Sequence, residues 1–429
     1  MALTLSPDLT GSTEYDSLWI RLIDRVFATF LHHFIKKSRL NDNLMGFGRK
    51  IAGMKRYLDD RVRTDLAQKM VFLTGPRQVG KTTLSRELIE QQGGQYLNYD
   101  VPADRALILN QRWSPQAPLL VLDEIHKMPD WKVWLKGVVD GKPKPQQLLV
   151  TGSARMDTFR QSGESLAGRF FGLRLHPISV REWCEQTRAT PEAALTHLLE
   201  RGGFPEPCLA PDNEQAERWR RQYFDGLVRN DVLEFSRIQE VNAIRLFANM
   251  LRSRVGSPLS LASMARDLAV SPVTLKKYLD ILEALYIVFV VRPWHDNIAR
   301  AVLQAPKVYF YDTGLVDGDE GLRFENLVAT ALLKHVQWQH DAQGKEVGLH
   351  YIRTKDGAEV DFVLNEKSHL TQLVECKLSD EKPHRALQRF ALEKGSVQAV
   401  QVVRNARHSY PLGVIQIAPA ALFLNQLAA

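Results

Sequence analysis

Hydrophobic positions along the chain fall into successive patterns. Short apolar runs of strand length occur at 70–74, 95–99, 118–123 and 147–151, with helical patterns between them, the first at 82–92. Uninterrupted apolar strands alternating with helices predict a parallel sheet covered on both faces. Beyond about residue 177 the period turns helical. Leu275, Leu279, Leu282 and Tyr286 share one apolar face of a helix with Ser271 as N-cap and Pro272 as its first residue. An apolar strand pattern at 287–292 follows, so 259–292 predicts a winged-helix-like unit. From residue 321 a second α/β core is expected: a helix at 324–335, strands at 348–353, 359–365 and 370–377, a helix at 384–394, and strands at 397–403 and 413–417. The first 53 residues differ: an amphipathic helical pattern at 18–35 and then a polar, Gly-containing linker. The expected organisation is an N-terminal extension (1–53), an α/β core (54–176), a helical lid and winged-helix-like region (177–320) and a second α/β domain (321–429).

Composition narrows the class. Apolar residues make up 45% of the 429 and charged residues 24%, which excludes wholesale disorder. Lys and Arg outnumber Asp and Glu by 56 to 49; this mild basic excess permits a polyanionic partner without demanding one. The three cysteines, Cys184, Cys208 and Cys376, form no CxxC pair, which speaks against a disulfide framework or a thiolate zinc site and suits a reducing cytosol. Arg21, Asp24, Arg25, His32 and His33 interrupt the longest apolar stretch, so no membrane span is expected. Asp8, Glu14 and Asp16 stand where a signal peptide would be basic.

The first chemical signal is a loop. Gly75, Gly80, Lys81 and Thr82 occupy every fixed position of G-x-x-x-x-G-K-[ST], between a strand and a helix. Glycines let backbone N–H groups turn inward around phosphates; Lys81 reaches the β- and γ-phosphates, and the Thr82 hydroxyl holds Mg²⁺ at a helix N-terminus. The apolar strand 119–122 ends in Asp123 and Glu124, placed to orient Mg²⁺ through water and to polarise the attacking water.

Gly75, Pro76, Arg77, Gln78, Val79, Gly80, Lys81, Thr82 and Thr83, with the segments 122–125 and 151–155, resemble a bacterial and archaeal group of AAA-type ATPases that carry a C-terminal domain of unassigned role. The resemblance covers about residues 54–429. It implies ATP and Mg²⁺ as cofactors and a homo-oligomer. It also implies Ser153 as a sensor near the γ-phosphate and Arg169, in Leu-Ala-Gly-Arg, as an arginine finger acting across a subunit interface. A guanidinium suits that role because it neutralises charge developing on the transferred phosphoryl; a surface ion pair is the bland alternative.

The second signal is an ordered set. Glu325 on a helix, Asp361 in Gly-Ala-Glu-Val-Asp, and Glu375 and Lys377 in Glu-Cys-Lys resemble the PD-(D/E)xK nuclease constellation. That resemblance implies Asp361, Glu375 and Glu325 as Mg²⁺ ligands and Lys377 as the group positioning the attacking water. Period-two alternation puts Glu375 and Lys377 on one strand face and Cys376 on the other, so Cys376 reads as core. Arg353 and Lys355 are candidate phosphate contacts. In the middle region, Thr274, Lys276 and Lys277 offer a thin recognition surface, and a lid or spacer fits equally well. Three functions stay open: an ATPase coupled to DNA binding or metal-dependent cleavage, a non-cutting regulatory switch, and a winged-helix transcriptional regulator.

Overall fold

The computed structural model describes residues 54–141, 146–152, 166–228, 238–294, 305–379, 382–395 and 397–429. Strands β1 (Met70–Thr74), β2 (Gln95–Asn98), β3 (Leu119–Asp123), β4 (Gln147–Thr151) and β5 (Phe170–Arg174) form one sheet. All pairs are parallel and the order is β2-β3-β4-β1-β5. Every residue of β1 and β3 is buried, as the continuous apolar runs require. One face packs Met70, Phe72, Leu120 and Leu122 against Trp131 and Leu135 of α3 (Trp131–Gly141). The other packs Val71, Leu73, Leu119 and Val121 against Leu58 and Val62 and against Leu84 and Leu88. Those four leucine and valine side chains come from α1 (Asp59–Leu66), with the turn before it, and α2 (Lys81–Gln92). This is the fold of a P-loop ATPase core, with the loop of residues 75–80 joining β1 to α2.

The helical middle comprises α4 (Val180–Thr187), α5 (Pro191–Arg201), α6 (Asn213–Gly226), α7 (Ile238–Arg252), α8 (Leu261–Asp267) and α9 (Pro272–Ala284). Ser271 caps α9 by accepting from the Thr274 N–H, and Pro272 is its first residue, matching the sequence pattern. On α9, Lys276 pairs with Asp280 at 2.7 Å and Lys277 with Glu240 at 3.4 Å.

The second sheet runs β12-β13-β11-β10-β9-β8-β6-β7. Its strands are β6 (Val288–Pro293), β7 (Lys307–Phe310), β8 (Val347–Arg353), β9 (Glu359–Glu366), β10 (His369–Lys377), β11 (Gln398–Val403), β12 (Tyr410–Leu412) and β13 (Ile415–Pro419). β6 pairs antiparallel with β7 and parallel with β8. The sheet therefore begins before residue 321. The physical reason is burial. Val288, Phe289 and Val291 join one cluster with Phe362 and Val374 of the later strands and with Leu275, Leu279 and Leu282 of α9. The helical middle and the second sheet thus share a hydrophobic core.

The long helix α10 (Glu320–Gln343) is twice the length its apolar periodicity suggests. Asp319 caps it, and its inner face carries Phe324, Val328, Leu332 and Val336 into the shared core. Helices α11 (Arg385–Lys394) and α12 (Ala420–Gln426) cover opposite faces of the second sheet. No helix among the described residues is long and apolar enough to cross a membrane.

Candidate functional site

Gly75 sits at φ 139°, and a Cβ there would lie 2.3 Å from the Leu175 carbonyl oxygen, so only glycine fits beside the chain leaving β5. Val79 points into the core below the loop. The Lys81 side chain is buried and folds back over the loop, donating to the Gly75 and Pro76 carbonyls at 2.9 and 2.6 Å. The ammonium is thus held against the loop by the loop's own carbonyls.

The acidic pair lies at the carboxyl end of β3, where open parallel sheets place ligands. Asp123 is buried; Oδ1 accepts the Thr151 hydroxyl at 2.5 Å, and Oδ2 accepts the Thr82 hydroxyl at 3.5 Å and the Tyr96 hydroxyl. Thr82 and Asp123 are therefore neighbours with hard oxygens facing one another, a donor set that fits Mg²⁺. Glu124 adopts a left-handed conformation, φ 56°, fixed by its N–H donating to the Thr151 carbonyl at 3.0 Å. Burial and the neighbouring Asp123 raise its carboxyl above the usual range, against the pull of Lys127, Lys81 and Arg77. Its Oε2 has no hydrogen-bond partner among the described residues, with His126 Nε2 at 3.5 Å and Lys127 Nζ at 3.7 Å. A buried carboxylate oxygen with spare acceptor capacity suits holding a water.

Ser153 lies outside the described residues. Arg169 forms a two-pronged pair with Asp140 at 2.9 and 3.2 Å, on the surface within its own chain. A role in trans would require exchanging that pair.

A buried charge group ties the loop to the rest of the molecule. The Arg56 guanidinium donates to the Val79 carbonyl at 2.8 Å, the His176 carbonyl at 2.5 Å and Glu182 Oε1 at 2.9 Å. Glu182 also accepts the Tyr57 N–H at 3.0 Å and forms a capping box with Ser179 at the start of α4. Its Oε2 takes the ammonium of Lys334, on α10, which also donates to the Pro177 carbonyl at 3.2 Å. Burial alone would raise the Glu182 carboxyl, but Arg56 and Lys334 outweigh it and hold the carboxyl at about 2. Burial lowers Lys334 to about 8, partly offset by Glu182.

One face of α10 continues this contact. Gln337 meets His176 Nε2 at 2.7 Å, Asp341 pairs with Arg174 at 2.8 Å, and Trp338 packs on the cluster that contains Val79. From α6, the Tyr223 hydroxyl donates to the Arg77 carbonyl at 3.1 Å. The helix docked against β5 at its carboxyl end carries Glu325 near its amino end.

Around Glu325 the carboxylates are interleaved with cations. Lys307 Nζ lies 2.6 Å from Glu359 Oε1 and 3.6 Å from both Glu325 Oε1 and Asp361 Oδ1. Tyr309 donates to Glu325 at 2.8 Å, and the Cys376 N–H to Asp361 at 2.9 Å. Glu375 pairs with Lys377 at 2.8 Å and His384 at 3.0 Å. Burial and Asp361 raise the carboxyls of both Glu325 and Glu375. Glu325, Asp361 and Glu375 are not brought together as a metal-ligand set: among the described residues no group of three His, Cys, Asp or Glu side chains has that arrangement. The residues present do not fit the metal that the nuclease resemblance implies, because an internal ammonium stands between two of the expected ligands. Cys376 packs against the core, as alternation predicts.

Sequence reasoning missed Arg56, Glu182, Lys334, Lys307 and Glu359. Lys307 carried a usable signal: a charge opening the otherwise apolar run Val-Tyr-Phe-Tyr.

Residues 67–184 match the family model described as AAA domain. Residues 192–321 and 320–423 match models described as domains of unknown function, DUF8612 and DUF4143. The first stretch is thus similar to AAA domains. An uncharacterized protein of Mycobacterium tuberculosis is 29% identical over 360 residues, 82% of this chain and 80% of its own length. One from Methanocaldococcus jannaschii is 23% identical over 346 residues, 72% of this chain and 75% of its own. Among solved structures, the Walker-type ATPase of Pyrococcus abyssi aligns with a TM-score of 0.39 at 12% identity, covering 60% of this chain and 93% of that one.

Proposed function

We propose that the chain is a cytoplasmic, self-associating ATPase switch that hydrolyses ATP and passes its nucleotide state to the C-terminal α/β domain, which binds DNA without cutting it. Lys81 and the loop N–H groups of residues 75–83 hold the phosphates. Thr82 and Asp123 would hold Mg²⁺, which neutralises phosphate oxygens when bound. Glu124 holds the attacking water and accepts its proton. Ser153 and Arg169 attend the γ-phosphate, Arg169 from a neighbouring copy.

The observation that carries the coupling is the Arg56 guanidinium, which joins the Val79 carbonyl of the loop to Glu182 and so to Lys334 of α10. A shift of the loop on filling with phosphate has a direct hydrogen-bonded route to the helix bearing Glu325. DNA is the partner assigned because the chain is net basic and Arg353 and Lys377 lie at the C-terminal cluster. Lys307 among the carboxylates weighs against cleavage.

The test is the affinity for a labelled duplex at fixed salt, with and without Mg·ATP. The switch reading expects at least a fivefold change in the wild type and none in Lys81→Ala. Equal affinity in both conditions would remove the coupling.

A further inference from the structure

We infer that the C-terminal carboxylate cluster is filled by the chain's own cation: the Lys307 ammonium takes the place of a divalent ion, and the folded site admits no metal. Three observations converge. Lys307 is 1% exposed and its Nζ lies within 3.6 Å of three carboxylates, Glu325 on α10 and Glu359 and Asp361 on β9. A hard cation would seek those same oxygens.

The lysine is also held in place. Its backbone opens β7, pairs with Val291 of β6 and bridges Pro258 on the other side, and the Leu259 N–H donates to the adjacent Pro306 carbonyl at 2.7 Å. The Tyr351 ring lies 5.4 Å from Nζ.

The carboxylates are equally fixed. Glu325 backs onto Gly256, where a Cβ would lie 2.4 Å from its Oε1, and it accepts the Tyr309 hydroxyl on the same oxygen. Glu359 is shared with Arg353 at 2.8 Å, and Glu375 with Lys377 and His384. Four carboxylates thus meet Lys307, Arg353 and Lys377, so the negative charge that would recruit a dication is already largely balanced from within.

This inference is independent of the ATPase reading and survives its failure. The test is Mn²⁺ binding without nucleotide, read as free Mn²⁺ by electron paramagnetic resonance. The full chain carries Lys81→Ala throughout to remove the phosphate loop's own cation site. The parent should bind no Mn²⁺ that Asp361→Asn abolishes. Adding Lys307→Met, which keeps length and loses charge, should create a site for one Mn²⁺ per chain, at least tenfold tighter than any binding by the parent. Asp361→Asn should then remove it. Asp361-dependent Mn²⁺ binding by the parent overturns the inference, as does a folded Lys307→Met chain that gains none. If Lys307→Met does not fold, the comparison of the parent with Asp361→Asn decides alone: binding lost on substitution refutes the inference, and its absence supports it.

Discussion

The Arg56 guanidinium donates to the Val79 carbonyl at 2.8 Å, inside the phosphate loop, from a side chain only 6% exposed. The same guanidinium meets Glu182, and Glu182 meets Lys334. Two cations thus share one carboxylate in the interior. Such a group contributes little net stability over an apolar replacement, yet breaking it strands a charge.

Replacing Glu182 by Gln leaves Arg56 and Lys334 facing each other without a counter-charge, and should cost about 3–5 kcal/mol in urea unfolding at neutral pH. The cost should depend on pH. The Glu182 carboxyl stands at about 2 in the folded chain, below its ordinary 4.5, so its contribution is complete above pH 4.5 and is lost as pH falls through about 2. That depression corresponds to about 3 kcal/mol. The gap between wild type and Glu182→Gln should therefore narrow as pH falls below 4.5. A gap unchanged at pH 3.5 would contradict the assigned charge state.

At the loop, Lys81→Ala should weaken ATP binding and turnover together, since it removes the charge over the phosphates. Glu124→Gln should bind ATP as before and hydrolyse it about a hundredfold more slowly or worse, because only water activation is lost. Binding titrations and single-turnover hydrolysis separate the two. Wild-type hydrolysis by Glu124→Gln would end its proposed role.

Arg169 is committed to Asp140 within the chain, so a finger in trans must give up that pair. Activity per chain should then rise with protein concentration. Mixing Arg169→Ala with Lys81→Ala chains should restore part of the turnover, each supplying what the other lacks. No recovery in a mixture shown to co-assemble would leave Arg169 as a surface ion pair.

The phosphate loop was legible because its chemistry is contiguous: a buried strand, Gly75 where a Cβ collides, and Lys81 and Thr82 at the helix start. Most strands of both sheets were legible for the same local reason; β5, β7 and β12 were not. What escaped is non-local. Arg56 and Glu182 are 126 positions apart, and Glu182 and Lys334 152, so no periodicity links them. β6 reads as a strand following α9, but nothing local shows that its buried Val288, Phe289 and Val291 pack in one core with Phe362 and Val374. At the second site, the order of Glu325, Asp361 and Glu375 suggested a metal. Lys307, on a strand that its pattern did not reveal, changes the chemistry of those same carboxylates.

Hydrogen exchange along α10, with and without Mg·ATP, tests most directly whether nucleotide state reaches the second sheet. With Glu124→Gln chains holding ATP unhydrolysed, the amides around Lys334, Gln337 and Asp341 should change protection on nucleotide binding. The same measurement with Glu182→Gln added, at saturating nucleotide, should lose that response while the amides of residues 75–83 still respond. An α10 that is indifferent to nucleotide in the first protein, or equally responsive in the second, would contradict the account.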